Sequence, residues 1–208
     1  MVIYEMRDFM PKIIREEEKN LTRQALLQAS IKLIQSKGLR HVTVADLTKA
    51  TGMAKGSFYA YYQTKEELLY EAIKIAERKG FETAMQLRFD VGDFRENIER
   101  ALFDIYLAPD SLALYLPPED LEHLMRKLPA EIREQELKKS QNNLAQAGAL
   151  FGLPEEDWGT LAYLMDALQE LASYKQDYGQ KNRQQSLEIL VRAIAAFLDE
   201  KSTRKGNA

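Results

Sequence analysis

Thr43-Val-Ala-Asp-Leu-Thr-Lys-Ala-Thr-Gly-Met-Ala-Lys-Gly-Ser-Phe-Tyr-Ala-Tyr-Tyr62 is the stretch on which the fold of this chain turns. Thr43 and Asp46 have the spacing of a capping box. The threonine oxygen accepts from the third helical amide while the acid reaches back to the cap. A short helix is therefore predicted from there to Thr51. Gly52 suits the left-handed conformation that a tight turn between helices demands. A second short helix is predicted over about Lys55 to Tyr62. Two short helices joined by a glycine turn, with longer helices on either side, have the spacing of a helix-turn-helix.

Working outward, Leu26, Leu27, Ile31 and Ile34 repeat at helical spacing, and that helix stops at Gly38. Thr64-Lys-Glu-Glu67 reads as a second capping box opening a helix from Lys65 to about Arg88. Phe94–Leu107 reads as helix and Asp110–Pro118 as a breaker-rich connection. Pro129 and Pro154 stand where first-turn prolines are tolerated, opening helices over about 130–151 and 154–177. Asp177–Arg183 reads as a loop, and a last helix spans about Gln184–Asp199. Strand signals are nearly absent, so the expected fold is all-α. The expected division is an N-terminal extension at 1–19, a DNA-binding head at 20–75, a regulatory ligand-binding and dimerisation part at 76–200, and a tail at 201–208.

The chain has 208 residues, 45% of them hydrophobic and none of them cysteine. Without cysteine there are no disulfides, thiolate metal sites or thiol nucleophiles, which fits a reducing cytoplasm. No apolar run approaches the roughly 18 residues of a membrane span, and residues 1–19 carry no signal-peptide pattern. A cytoplasmic protein with no membrane partner is expected. Neither G-x-S-x-G nor H-E-x-x-H occurs, and the two histidines, His41 and His123, are far apart in sequence. No enzyme activity, catalytic residue, metal or cofactor is expected.

The net charge of −3 conceals an asymmetry. Residues 19–65 carry eight bases and one acid, whereas residues 81–208 carry 15 bases and 22 acids. A basic segment in an acidic chain points to a local polyanion partner. Leu47, Met53 and Phe58 are expected to hold the two short helices together. Lys55, Gly56, Ser57, Tyr59 and Tyr61 would then face outward on the second, where an α-helix fits the DNA major groove. Lys55 suits phosphate or a guanine edge, and Ser57 is small and bonds either base edge. Gly56 permits close backbone approach, and the two tyrosines reach phosphate, sugar or a thymine methyl. Thr43 caps and contacts phosphate, and Lys65 with the amides of the second box forms a phosphate anchor. Lys49 and Arg40 are expected to be solvated.

The stretch from Thr43 to Leu69 resembles the signature of the tetracycline-repressor (TetR) family of regulators at nearly every framework position. The resemblance covers roughly residues 21–75. It implies that Thr43, Lys55, Gly56, Ser57, Tyr59, Tyr61 and Lys65 lie at the DNA interface. Tyr62 stands where the family usually has phenylalanine, which implies a core position. The chain departs from the family pattern at Gln63-Thr64 and in the length of its extension.

Two apolar stripes mark the second half: Trp158, Leu161, Leu164, Met165, Leu168 and Leu171, then Leu187, Leu190, Val191, Ile194, Phe197 and Leu198. Paired across a two-fold axis they would make a four-helix interface, and the resemblance implies the same homodimer. Leu161, Met165, Leu168, Leu187, Leu190 and Ile194 are the expected interface residues. Phe103, Tyr106, Leu107, Met125, Phe151 and Tyr163 are the expected lining of an apolar pocket for a small-molecule effector. The resulting expectation is a repressor released from a palindromic operator in double-stranded DNA by that effector. The alternative is a protein of the same fold that senses no ligand and recruits a protein partner.

Overall fold

The computed structural model describes residues 16–85, 93–108, 111–174 and 179–203. Every regular element among them is helical: α1 Glu16–Lys37, α2 Val44–Thr51, α3 Lys55–Phe58, α4 Lys65–Met85, α5 Phe94–Tyr106, α6 Pro118–Lys127, α7 Ala130–Phe151, α8 Trp158–Ser173 and α9 Gln180–Lys201. Short 3-10 turns stand at Leu39–His41, Leu112–Tyr115 and Glu155–Asp157. The expected extension falls in large part, as does the tail, outside the described residues; residues 16–19 belong to α1.

Local chemistry explains where the helices stop. Gly52 (φ 69°) closes α2: its N–H donates to the Lys49 carbonyl, and the Met53 N–H donates to the Thr48 carbonyl at 3.0 Å. Gly152 (φ 64°) closes α7 in the same way, with the Leu153 N–H on the Gly148 carbonyl at 2.8 Å. Both ends satisfy carbonyls that a helix C-terminus would otherwise leave unpaired. Pro118 sits in the first turn of α6, where its missing N–H is no loss. Glu119 and Asp120 in that turn, with Arg126 and Lys127 in the last, complement the helix dipole. The predicted breaker at 110–118 is thus a 3-10 turn and then the start of a helix. The second short helix is tighter than predicted, ending at Phe58 before a turn through Tyr61.

Two buried clusters form. In the first, Leu26, Ile34, Leu47, Phe58, Leu68 and Ile73 from the first four helices pack with Leu112, Leu116 and Leu124. The core of the head therefore takes in the 3-10 turn at 112–115 and α6, which chain order assigns to the regulatory part. In the second, Ile98 and Leu102 of α5 pack with Leu161, Leu168 and Ala172 of α8 and Leu187, Val191, Ile194 and Leu198 of α9. Each large aliphatic side chain so buried contributes roughly 1.5–3 kcal/mol.

Four of the six expected dimer residues are thereby corrected. Leu161, Leu168, Leu187 and Ile194 are buried against the chain's own α5, α8 and α9, so they are internal core. Met165 and Leu190 are half-buried at the margin of the same cluster. An amphipathic stripe reports that a face is covered; here an internal helix covers it.

Candidate nucleic-acid interface

The head is built on the cap of α2. Thr43 Oγ1 accepts from the Asp46 N–H at 3.2 Å, and Asp46 Oδ2 accepts from the Thr43 N–H at 2.9 Å. The predicted capping box is present in full. Asp46 Oδ2 also accepts from the Thr43 hydroxyl at 2.6 Å and from Lys37 Nζ at 2.6 Å. The Lys37 ammonium first, and the Thr43 donors next, hold the Asp46 carboxyl well below the usual carboxylate range. Lys37 at the end of α1 thus ties the preceding helix to the start of α2. At α4, Thr64 Oγ1 accepts from the Glu67 N–H at 3.2 Å, while Glu67 Oε2 accepts from the Gln63 N–H at 3.3 Å. The second box therefore closes one residue earlier than a standard one.

Phe58, with 0% exposure, anchors the underside of α3, and its ring meets Tyr59 edge-on at 5.3 Å. Lys55, Gly56 and Ser57 on the other side are exposed, and a β-carbon added at Gly56 would meet open space. Tyr59 is 54% exposed beside them. Thr43 is exposed at the start of α2, and Lys65, half-buried, lies 3.5 Å from Glu66. Tyr61 differs from expectation: it is half-buried, packs against the head core, and lines a cleft of about 520 Å³ toward α7. Its ring body is therefore committed to the head. Lys49 is exposed, as expected.

Tyr62 is buried, as expected, but its hydroxyl has a task that phenylalanine could not perform. It accepts from Arg23 Nε at 3.1 Å and donates to Glu71 Oε2 at 3.0 Å, while Arg23 Nη2 meets the same carboxylate at 2.7 Å. This triad joins α1 to α4 and fixes the two helices that carry the short pair. Burial pushes the tyrosine hydroxyl up to about 12, with Glu71 adding and Arg23 opposing.

Arg40, expected to be solvated, reaches the first turn of α6. Its Nε lies 2.5 Å from Asp120 Oδ1 and its Nη2 2.8 Å from the Glu119 carbonyl. Further ties cross between head and body: Lys127 with Glu66 at 3.5 Å, and Glu136 of α7 with both Tyr70 and Lys74 of α4. Sequence spacing carries no signal for these pairs, whose members lie about 60–80 residues apart.

In the body, Phe103, Tyr106, Leu107 and Phe151 are each half-buried and pack against the second cluster. Burial pushes the Tyr106 hydroxyl up to about 12. Tyr163 is corrected: at 80% exposure it points away from any internal pocket. Met125, half-buried on α6, belongs to neither cluster. The outward faces of α8 and α9 carry Gly159, Tyr163, Asp166, Ala167 and Glu170, then Gln185, Ile189, Arg192 and Ala193. Among the described residues no helix is long and apolar enough to cross a membrane.

A capped helix, a left-handed glycine and a short exposed helix seated on a buried phenylalanine form a helix-turn-helix head, carried here on a helical body. The family model for bacterial regulatory proteins of the tetR family matches residues 26–72. Residues 26–72 are therefore similar to the helix-turn-helix head of the tetR family, and the all-helical body shares the fold of solved regulators. The HTH-type transcriptional regulator YvdT of Bacillus subtilis is 39% identical over 46 residues, a match spanning 22% of this chain and 24% of that relative. A transcriptional regulator from Rhodococcus sp. Rha1 superposes with a TM-score of 0.63 at 17% identity, covering 86% of this chain and 96% of its own. A transcriptional regulator from Saccharomonospora viridis, solved in complex with choline, superposes with a TM-score of 0.58 at 16% identity over 83% and 96% of the two chains.

Proposed function

We propose that this chain is a homodimeric, sequence-specific DNA-binding repressor, released from a palindromic operator by a small organic effector. The observation that carries the reading is the surface of α3: Lys55, Gly56 and Ser57 stand free while Phe58 beneath them is fully buried. Such a helix enters the major groove with its first residues at the base edges. Ser57 reads base edges, Gly56 allows close approach, and Lys55 meets a guanine or phosphate. Tyr59 packs on sugar or a thymine methyl. Tyr61 offers its hydroxyl from a packed ring. Thr43 and Lys65 grip phosphates on either side, and the Thr43 hydroxyl, already bonded to Asp46, presents a lone pair only to a donor. Its share in DNA binding is therefore through the adjoining amides of α2. The excess of bases over residues 19–65 favours a polyanion at this end.

The dimer forms through the outward faces of α8 and α9. Small residues at Gly159, Ala167 and Ala193 let backbones approach, Tyr163 and Ile189 supply apolar area, and Arg192 can meet Asp166 or Glu170 of the other copy. Two heads are required because one short helix reads only a few base pairs. The effector occupies the aromatic region of Phe103, Tyr106, Leu107 and Phe151, with the Tyr106 hydroxyl as its polar handle. The DNA-binding part is residues 20–75, its core completed by the 112–115 turn and α6, and the rest of 76–200 is the regulatory part, in the cytoplasm.

The test is selection from fragmented genomic duplex at low salt with purified chain, followed by footprinting. A protected palindrome whose half-site centres lie about 34–36 Å apart is expected. Recovery of fragments with no shared sequence, or of none, overturns the reading.

A further inference from the structure

Gln169 on α8 places its side-chain nitrogen against two backbone carbonyls of another element. Nε2 donates to the Ala113 carbonyl at 3.0 Å and to the Leu116 carbonyl at 2.9 Å. Both belong to the 3-10 turn at 112–115 and the residue that closes it. The Ala113 carbonyl also accepts a long backbone bond from the Leu116 N–H at 3.4 Å, and an amide NH2 is a side-chain group able to bond two carbonyls from one atom. On its other side the same turn is part of the head: Leu112 and Leu116 are buried among Leu26, Ile34 and Leu69. The turn is held from above by α8 and embedded below in the DNA-binding unit.

Beyond the turn the chain is stiff. Pro117 and Pro118 have fixed φ and lead straight into α6. Asp120, in the first turn of α6, is 4% exposed and grips Arg40 at 2.5 Å, in the 3-10 turn between α1 and α2. A continuous piece of chain, 112–120, is therefore clamped to α8 at one end and to the helix-turn-helix at the other. On α8 Gln169 neighbours Glu170 and lies three residues from Asp166, both exposed on the face proposed to meet the partner copy.

We propose that Gln169 is the positioning residue that fixes each head relative to the dimer face, and so sets the half-site spacing the regulator accepts. This rests on the proposal of a two-headed dimer. With the hook in place, the head follows α8; without it, each head, α4 included, keeps its own core but swings on its remaining ties to α7. Gln169→Met keeps the length and shape of the side chain and removes both donors.

The experiment uses the full chain. Wild type and Gln169→Met are titrated against the selected palindrome and against versions with one or two base pairs added or removed between the half-sites, with the oligomeric state followed by sedimentation. Wild type should lose about tenfold or more in affinity for each base pair of spacing error. Gln169→Met should remain dimeric, bind the original site more weakly, and lose about threefold or less per base pair. An equal loss at every spacing, with the wild-type sharpness retained, overturns the proposal, because a residue that only stabilises the fold weakens all sites alike. Indifference of the wild type to spacing overturns instead the two-headed reading beneath it. Should Gln169→Met not fold, Gln169→Asn, one methylene too short to span both carbonyls, carries the same two outcomes.

Discussion

Arg40 and Asp120, 80 residues apart in sequence, form an ion pair, with Arg40 Nε 2.5 Å from Asp120 Oδ1 and Arg40 Nη2 2.8 Å from the neighbouring Glu119 carbonyl. Asp120 is almost wholly buried and Arg40 about half so. Removing the arginine leaves a carboxylate in a poor solvent, whereas neutralising the acid leaves a guanidinium that still reaches water. Arg40→Ala should therefore cost about 1–3 kcal/mol in urea unfolding, and Asp120→Asn less. If the two changes were combined, part of the Arg40→Ala loss should return. Simple addition of the two costs would show that the pair is not coupled.

A second expectation concerns pH. Tyr62 is pushed up to about 12, first by burial. Its neutral form is favoured by the fold, so the stability it contributes is complete below the ordinary value of about 10 and is lost as pH rises from there through about 12. Tyr62→Phe keeps the ring and removes the bonds to Arg23 and Glu71. It should cost about 0.5–1.5 kcal/mol below that window, and the cost should shrink across it. Denaturant unfolding of both proteins over this range checks the difference, which other titrating tyrosines leave unaffected. A constant gap at all pH values would contradict the triad.

Glycine at two positions is required for different reasons. At Gly52 the backbone is left-handed and an added β-carbon meets nothing within 4 Å, so Gly52→Ala should cost only the backbone strain, about 1–2 kcal/mol. At Gly148 the helix is ordinary, but a β-carbon would fall 2.1 Å from Trp158 Nε1, whose N–H is bound to the Leu153 carbonyl at 3.0 Å. Gly148→Ala should cost at least as much, about 1–3 kcal/mol from overpacking. Trp158 fluorescence should shift with the second change and not with the first.

Lys65 and Ser57 separate anchoring from reading. Lys65→Ala should weaken binding to all duplexes alike and flatten the slope of log affinity against log salt by about one. Ser57→Ala should leave the slope unchanged and alter which base is preferred at one position. Affinity titrations over a salt series on the selected site and its single-base variants distinguish the two. An unchanged slope for Lys65→Ala removes it from the phosphate contacts.

The head was legible in the sequence because its determinants are local. Thr43 and Asp46 are three residues apart, Gly52 needs no partner to declare a turn, and Phe58 falls on the buried side by helical phase alone. The joints between head and body were not legible. Leu112, Leu116 and Leu124 join the head's core, and Gln169 meets carbonyls more than 50 residues away, through contacts that no periodicity encodes. The prolines at 117–118 read as a stop because a proline that ends one helix and a proline that opens another look alike until the following turn is placed. The chemistry of Tyr163 suits a pocket, whereas the phase of α8 turns it to the surface.

The same phase decides the dimer face and yields the last prediction. Leu168 is fully buried against the chain's own helices, while Tyr163 and Ile189, at 80% and 60% exposure, stand on the far sides of α8 and α9. Ile189→Asp should leave the folded chain intact, since a surface change away from caps and cores costs about 0.5 kcal/mol or less. It should nevertheless break the dimer in sedimentation, because the charge would be buried unpaired against its symmetry mate. Leu168→Ala should do the reverse, costing about 2–5 kcal/mol in unfolding while the native fraction remains dimeric. A dimer that survives Ile189→Asp would move the interface off these faces, and the half-site geometry would then need another frame to hold the two heads.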